Sequence, residues 1–343
     1  MDALVDDVTR PPHESQLIDR FGRRIDYIRI SVTDRCDLRC QYCMSENMTF
    51  VPRTQLLTLE EIRTIASAFV DLGVTRIRIT GGEPLVRRNV LKLFGELGQL
   101  DTLHDLTLTT NGTQLARYAP ALKDAGVTRI NISLDTLKPD LFSSITRVGK
   151  LEKTLQGLDA ALDTGFQRLK INSVILKNRN HEEVRDLLEF AIARKIDISF
   201  IENMPLGITG EHNHSDSYYS SEQIQQDLQP YYELIPTTLK TAGPARYFKI
   251  SGVPDTRVGF ISPHSHNFCD TCNRVRLTAE GQLLLCLGQE HSMDLKKVLR
   301  THPGDPDALR DAIIRAMDLK PQGHEFDIRT HEVLLRHMNM TGG

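Results

Sequence analysis

The sequence contains no tryptophan, no long apolar run and no large excess of charge of either sign. Its 343 residues include 42 basic and 45 acidic side chains, which gives a formal net charge of −3. Because no strong overall field attracts such a chain to polyanions, we expect neither nucleic acid nor a membrane surface as a partner. No apolar stretch approaches the roughly 18 residues of a membrane span. The acidic N-terminus has no signal-peptide core, so we expect a cytoplasmic protein.

Cysteine is also absent from most of the chain. A first cysteine group comprises Cys36, Cys40 and Cys43, and a second cysteine group comprises Cys269, Cys272 and Cys286. A disulfide framework would scatter its cysteines and would be unusual in a reducing cytosol. Two compact groups of three therefore predict the binding of metal ions or metal clusters.

Short β-branched runs alternate with amphipathic helical patterns between residues 26 and 202. This alternation is typical of βα units and a parallel sheet. Six units predict an α/β fold, an incomplete (β/α)6 TIM-like barrel with a C-terminal α+β layer that closes its open side. The predicted strands are 26–33, 76–80, 105–110, 129–134, 169–175 and 197–202. The predicted helices are 59–72, 88–97, 114–125, 151–164 and 181–194, and Thr58 with Glu61 forms a capping box before the first of them.

We divide the chain into three parts. Residues 1–20 form an N-terminal leader, residues 21–215 form the partial barrel with the first cysteine group, and residues 216–343 form a C-terminal region with the second group. In parallel barrels the reactive groups collect where the strands end. The first predicted strand leads into the first cysteine group and the second leads into Gly81-Gly82-Glu83-Pro84, so we expect both at one rim.

The spacing C-x3-C-x2-C lets three thiolates of the first group reach one iron–sulfur cubane. A four-iron cluster normally has four thiolate ligands, so a group of three leaves one iron open for a ligand. Zinc is the alternative, with a remote fourth ligand from His264, His266 or His291. For the second group, C-x2-C-x13-C, a zinc ribbon is a stronger competitor. Spacing alone leaves both alternatives open.

The C-x3-C-x2-C run after the first strand, with Gly-Gly-Glu-Pro after the second, resembles the radical S-adenosylmethionine superfamily. The segment Asn-Arg-Val-Arg-Leu at 273–277 directly follows Cys272 and precedes Cys286. The chain ends in Gly342-Gly343. With these features, the sequence from about Phe21 to Gly343 resembles a narrower family, the GTP 3′,8-cyclases of molybdenum cofactor biosynthesis.

This resemblance implies two 4Fe–4S clusters, one on each cysteine group, and S-adenosylmethionine on the open iron of the first. Positions that match contacts to S-adenosylmethionine are Tyr42, Gly82, Ser133 and Met204. The open iron of the second cluster would bind the guanine base of GTP. Positions that match substrate contacts are Arg29, Arg78, Thr109, Lys170, Arg274 and Arg276. Arg274, Arg276 and the Gly342-Gly343 tail would be catalytic.

In that family a 5′-deoxyadenosyl radical removes the 3′ hydrogen of GTP, and the ribose radical then attacks C8 of guanine. The product is (8S)-3′,8-cyclo-7,8-dihydroguanosine 5′-triphosphate, formed by a lyase in the first step of molybdopterin synthesis. The resemblance also implies a homodimer that passes its product to cyclic pyranopterin monophosphate synthase.

Two other functions stay open on the sequence. One is a radical enzyme that modifies a peptide and carries an auxiliary cluster, and the other is a non-catalytic zinc or iron–sulfur protein. Two positions depart from the family pattern: Ser199 stands where relatives often have arginine, and Ser45 stands where proline is frequent. Neither belongs to the predicted ligand sets.

Overall fold

The computed structural model describes residues 16–207, 216–239, 241, 243–324, 326 and 337–342. In these residues twelve strands form one sheet, with the order β12-β11-β10-β1-β2-β3-β4-β5-β6-β9-β8-β7. The strands are β1 (Tyr27–Ser31), β2 (Arg76–Thr80), β3 (Asp105–Thr110), β4 (Val127–Ser133), β5 (Arg168–Ile175), β6 (Asp197–Glu202), β7 (Leu234–Pro236), β8 (Arg246–Ile250), β9 (Val253–Ile261), β10 (Arg274–Leu277), β11 (Gln282–Leu284) and β12 (Ser292–Asp294).

The helices connect and cover these strands. They are α1 (Leu59–Asp71), α2 (Val90–Leu97), α3 (Leu115–Asp124), α4 (Pro139–Thr146), α5 (Leu151–Thr164), α6 (Val184–Ala193), α7 (Ser221–Leu228), α8 (Leu295–Thr301), α9 (Pro306–Asp318) and α10 (Met338–Thr341). The predicted capping box of α1 is confirmed, because Glu61 N donates to Thr58 Oγ1 at 3.1 Å and Thr58 N donates to Glu61 Oε2 at 2.8 Å. No helix in the described ranges has both the length and the apolar character needed to cross a membrane.

Strands β1 to β6 are parallel, as the βα pattern predicts. The C-terminal region adds one further parallel strand at each edge, β10 beside β1 and β9 beside β6. The remaining strands are antiparallel and lie outside these two. The α/β prediction of a partial barrel is confirmed. The C-terminal strands flank its open side by extending the sheet from both edges.

Along each parallel strand, side chains that pack in the hydrophobic core alternate with side chains that face the inside of the barrel. Ile28 and Ile30 of β1 are fully buried, and they belong to the hydrophobic core that also contains Phe69 of α1. Successive side chains of a strand point to opposite faces. The residues between the isoleucines therefore face the inside of the barrel, and on β1 that residue is Arg29.

Between residues 26 and 202, two helices differ from the sequence-based assignment by more than small shifts of their bounds. Helix α4 was not predicted, because it is only eight residues long and starts with proline, a residue that also marks turns. The predicted helix 181–194 begins as a single 3-10 turn, His181–Glu183, before α6 continues. The division into a leader, a barrel and a C-terminal region stays a prediction. Residues 1–15 lie outside the described residues, while Leu17 is buried.

Candidate active site

The predicted site residues line one cavity on the inner face of the parallel strands. All six cysteines of the two groups contribute to its wall. The other predicted residues in the wall are Arg29, Tyr42, Arg78, Gly82, Thr109, Ser133, Lys170, Met204, Arg274 and Arg276. Gly342 accepts a hydrogen bond from Arg276, whereas Gly343 lies outside the described residues. The fold therefore assembles into one place residues that are far apart in the sequence.

The first cysteine group occupies the loop that follows β1. Cys36 Sγ accepts hydrogen bonds from Leu38 N at 3.3 Å and from Asn111 Nδ2 at 3.7 Å. Cys43 interacts with the backbone N–H of Asn339, yet burial still raises the pKa of its thiol to about 12. N–H groups directed at sulfur are a usual feature of cluster-binding cysteines, whose thiolates they orient and stabilise.

The Gly81-Gly82 turn after β2 lies directly against this loop. Gly82 N donates to Thr33 O at 2.7 Å, and Glu83 N donates to Arg35 O at 2.8 Å. A Cβ atom on Gly82 would overlap the backbone of Arg35. Glycine is required here because the two backbone segments approach too closely for any side chain.

Two buried carboxyl groups hold the ends of neighbouring strands beside the first group. Glu83 accepts hydrogen bonds from Thr110 Oγ1 at 2.8 Å and from Asn111 N at 2.7 Å, and burial raises its pKa to about 7. Tyr42 Oη donates to Asp135 Oδ2 at 2.7 Å. Asp135 has a pKa raised to about 6 by burial. These contacts give Glu83 and Asp135 positioning roles that the sequence analysis did not assign.

The second cysteine group lies at the opposite end of the same strands. Cys272 lies two residues before Arg274, the first residue of β10, and Arg274 is in register with Tyr27, the first residue of β1. Cys36 follows the other end of β1. Cys286 follows β11, which runs antiparallel to β10 and so returns to the Cys272 end. The strand from Tyr27 to Ser31 spans roughly 13 Å, which sets the scale of the separation between the two groups.

Three arginines lie side by side between the two cysteine groups, and we name them the arginine row. Arg29 of β1 is in register with Arg276 of β10 on one side and with Arg78 of β2 on the other. Adjacent strands are about 4.8 Å apart, so the like charges repel. Burial and the charge of Arg274 lower the pKa of Arg276 to about 10. Burial and Arg276 likewise lower the pKa of Arg29 well below its usual value.

Tyr27 contacts the arginine row through Arg78 and was not identified from the sequence. Its Oη accepts a hydrogen bond from Arg78 Nε at 2.6 Å. Burial alone would raise the pKa of Tyr27, but the charges of Arg78 and Arg29 outweigh it and lower the pKa to about 8. An aromatic residue at the start of a buried strand is usually part of the core, so no sequence signal distinguished it.

The opposite wall of the cavity also carries positive charge. Lys170 Nζ donates to Tyr247 Oη at 3.2 Å. Asp197 accepts from Arg257 at 2.6 Å and from Arg168 at 2.9 Å, so one carboxylate is shared by two guanidinium groups. Ser199 is in register with Gly259, on the strand that also carries Arg257. A guanidinium group is therefore present on the strand adjacent to Ser199.

Helix α10 anchors the C-terminal tail beside the first cysteine group. Met338 N donates to Cys43 O at 3.3 Å, and Asn339 Nδ2 donates to Asp34 O at 2.8 Å. The tail then reaches the arginine row, where Gly342 O accepts from Arg276 Nη1 at 2.8 Å. Gly342 has a φ of 71°, and a Cβ there would overlap Thr80 Oγ1.

The cysteine groups fit iron–sulfur clusters in their donors and surroundings. Each presents sulfur atoms to the cavity, with hydrogen-bond donors directed at Cys36 and Cys272.

Two family models match the chain. The Radical SAM superfamily model matches residues 30–191, and the Molybdenum Cofactor Synthesis C model matches residues 196–326. Among solved structures, Streptococcus suis SuiB has a TM-score of 0.60 at 16% identity, covering 85% of this chain and 67% of that one. Its S-adenosylmethionine-bound form has a TM-score of 0.57 at 16% identity, with coverages of 84% and 69%. These structures support the fold.

Curated relatives are much more similar in sequence. The GTP 3′,8-cyclase of Pseudomonas entomophila is 55% identical over 327 residues, which cover 95% of this chain and 98% of the relative. The GTP 3′,8-cyclase of Marinobacter nauticus is 55% identical over 332 residues, with coverages of 96% and 99%. The chain therefore belongs to the radical S-adenosylmethionine superfamily and, within it, to the GTP 3′,8-cyclase family.

Proposed function

We propose that this chain converts GTP into (8S)-3′,8-cyclo-7,8-dihydroguanosine 5′-triphosphate with S-adenosylmethionine and two 4Fe–4S clusters. The family relationship supports the reaction and favours GTP over the peptide substrate of the alternative hypothesis. The single observation that carries the proposal is the in-register row of Arg276, Arg29 and Arg78 between two cysteine groups. This arrangement offers a site for a polyphosphate between two clusters.

The first cluster would be held by Cys36, Cys40 and Cys43, with S-adenosylmethionine on its open iron. When bound, this pair supplies the radical that removes a hydrogen atom from the substrate. The chain orients the cofactor with Tyr42, Gly82, Ser133 and Met204, all of which line the cavity. The glycine turn packs against the backbone of Thr33 and Arg35 and so holds the loop of the first cysteine group in place.

The second cluster would be held by Cys269, Cys272 and Cys286, and its open iron would take the guanine base. The arginine row then faces the rest of the nucleotide. Arg78 hydrogen-bonds to Tyr27 Oη and Thr109 Oγ1, and Arg276 hydrogen-bonds to Gly342 O; all three acceptors are neutral oxygen atoms. A triphosphate between these guanidinium groups would relieve their mutual repulsion and accept charge-assisted hydrogen bonds.

Lys170 and Arg257 give the opposite wall its positive charge. Lys170 hydrogen-bonds to Tyr247 Oη, while Arg257 shares Asp197 with Arg168. We propose that Arg257 provides in this chain part of the phosphate attraction that an arginine at position 199 provides in relatives. The wall remains cationic because two guanidinium groups share one carboxylate.

The C-terminal tail completes the cavity. Gly342 accepts a hydrogen bond from Arg276, and the rest of α10 contacts the loop of the first cysteine group. A tail held at the first cysteine group and at the arginine row would exclude water from the reacting atoms and limit the movement of Arg276. For Gly342 and Gly343 we propose this role in orienting the catalytic arginines.

Three further assignments follow from the family. We propose that the chain forms a homodimer, that it works in the cytoplasm, and that it passes its product to cyclic pyranopterin monophosphate synthase.

The experiment that tests the proposal is anaerobic reconstitution with iron and sulfide, followed by incubation with dithionite, S-adenosylmethionine and GTP. We expect about eight irons per chain, with 5′-deoxyadenosine and a cyclised guanosine triphosphate formed together. Parallel incubations without GTP and with ATP serve as controls. 5′-Deoxyadenosine without a nucleotide product would refute the substrate, and zinc without either product would refute the enzyme.

A further inference from the structure

A single lysine side chain is buried beside the second cysteine group. Lys320 follows α9 and is 1% exposed. Its Nζ donates to Leu285 O at 2.6 Å, to Arg274 O at 3.1 Å and to Cys272 Sγ at 3.7 Å. One ammonium group therefore contacts two segments at this end of the cavity: the residue before Cys286 and the first residue of β10.

These partners do not balance the charge of Lys320. Among the described residues they are two carbonyl oxygens and a sulfur atom, and none is a carboxylate. Burial of an ammonium group is strongly unfavourable unless an anion lies beside it. A group that becomes anionic within hydrogen-bond reach of Lys320 is the Cys272 thiolate, which a cluster would keep deprotonated.

The surrounding chain holds Lys320 in this position. Its backbone N–H donates to Met317 O at 3.1 Å, which continues the end of α9. Directly after it, Arg23 donates to Pro321 O at 2.6 Å and to Gln322 O at 2.6 Å. The same guanidinium group donates to Cys269 O at 2.8 Å. Both sides of the lysine are thus fixed to the second cysteine group.

We propose that Lys320 is a positioning residue that raises the reduction potential of the second cluster through its charge and its hydrogen bond to the Cys272 sulfur. This inference rests on the second cluster of the proposed function. A fixed positive charge stabilises the more negative, reduced state of a cluster, and hydrogen bonds to its sulfur atoms act in the same direction. The lysine also holds Arg274 O, so it links the cluster to the strand that carries the catalytic arginines.

The test measures the reduction potential of the second cluster by an anaerobic redox titration followed by electron paramagnetic resonance. Full-length protein with Cys36→Ala, Cys40→Ala and Cys43→Ala carries only the second cluster, so the signal is unambiguous. Lys320→Met removes both the charge and the hydrogen bonds, Lys320→Gln removes the charge but keeps N–H donors, and Lys320→Arg keeps the charge. Lys297→Met, at an exposed position on α8, controls for the change in net charge.

We expect a lower potential in both neutral variants and a potential near that of the parent in Lys320→Arg and Lys297→Met. Loss of the second cluster in the neutral variants, with its retention in Lys320→Arg, would also support the role of the charge. An unchanged potential in Lys320→Gln and Lys320→Met would overturn the inference. Loss of the cluster in all three Lys320 variants would overturn it too, because side-chain shape would then be decisive. Absence of iron from the parent protein would instead refute the second cluster.

Discussion

Arg276 Nη1 donates a hydrogen bond to the carbonyl oxygen of Gly342 at 2.8 Å, across 66 positions of the sequence. Arg276 lies in the arginine row, on the strand that follows Cys272, and Gly342 belongs to a tail that is anchored on the loop of the first cysteine group. This contact connects the arginine row to that loop. Movement of the tail would therefore alter the arginine row.

Gly342→Ala should displace the tail. A methyl group there overlaps Thr80 Oγ1, and the φ of 71° is unfavourable for alanine. We expect cyclisation to fall by about tenfold or more, equivalent to about 1.4 kcal/mol in the barrier, with the iron content unchanged. Gly304→Ala is the matched control, because its φ is 78° and no atom lies within 4 Å of the added carbon. Equal losses in the two variants would contradict a role for the tail.

Cys272→Ala should remove the second cluster and leave the first in place. We expect the iron content to fall from about eight to about four per chain. Binding of S-adenosylmethionine should persist, while the cyclised product is lost. Cys40→Ala is the reciprocal variant, which should keep the second cluster and lose cleavage of S-adenosylmethionine. Product formation by Cys272→Ala, measured by chromatography, would show that the second cysteine group does not serve the reaction.

GTP binding should weaken as the pH rises above about 8. The pKa of Tyr27 is lowered to about 8 by Arg78 and Arg29 despite its burial, so the phenol ionises within the range of the assay. The tyrosinate then cancels part of the positive charge of the arginine row and disfavours a triphosphate. Since GTP favours the neutral phenol, its affinity should fall by at most about tenfold per pH unit.

Tyr27→Phe provides the control for this pH dependence. The variant removes the ionising group, so its dissociation constant for GTP should vary less between about pH 7 and 9. Guanine itself ionises near the upper limit, and both proteins share that contribution. The difference between the two curves isolates Tyr27. If the dissociation constants of the wild-type protein and of Tyr27→Phe change equally with pH, another group is responsible for the pH dependence.

Gly82→Ala should prevent assembly of the first cluster. The added carbon overlaps the backbone of Arg35, in the segment that leads to Cys36. Gly95→Ala is the matched control, because no atom lies within 4 Å of its added carbon. In helix α2 that change should raise the free energy of unfolding by about 0.5–1 kcal/mol. We would measure iron content and thermal unfolding, and a full complement of iron in Gly82→Ala would contradict the close approach.

Local patterns were sufficient to predict β2, β3 and β6 with the same bounds as the structure, and α5 as well. These elements have the regular spacing of apolar residues that is typical of strands and helices, and this spacing is visible in a single sequence. Helix α4 and the 3-10 turn before α6 were missed because their propensities are weak over so few residues. The pairing of β1 with β10 was not predicted either, since a short strand carries no information on a partner about 240 residues away.

The cysteine ligands were predicted from their spacing and the other site residues from the family resemblance, and the structure brings all of them except the Gly342-Gly343 tail to the wall of one cavity. Their roles as ligands and contacts stay predictions. Tyr27 and Lys320 had no motif to mark them, since each resembles an ordinary core or surface residue in the sequence. Their importance comes from burial next to charge, which only the arrangement of distant segments creates.

The parallel pairing of β1 with β10 has a consequence for the order of events during synthesis. The edge of β1 stays without this neighbour until residue 274 leaves the ribosome. At roughly 5–20 residues per second, this interval lasts about 12 to 50 s. Closure of the sheet involves contacts between sequence-distant segments, which form slowly. The second cysteine group, and the cluster that we propose for it, can therefore be completed only late in synthesis, once Cys286 has been translated. A nascent chain that stops before β10 would lack both this cysteine and the neighbouring strand of β1.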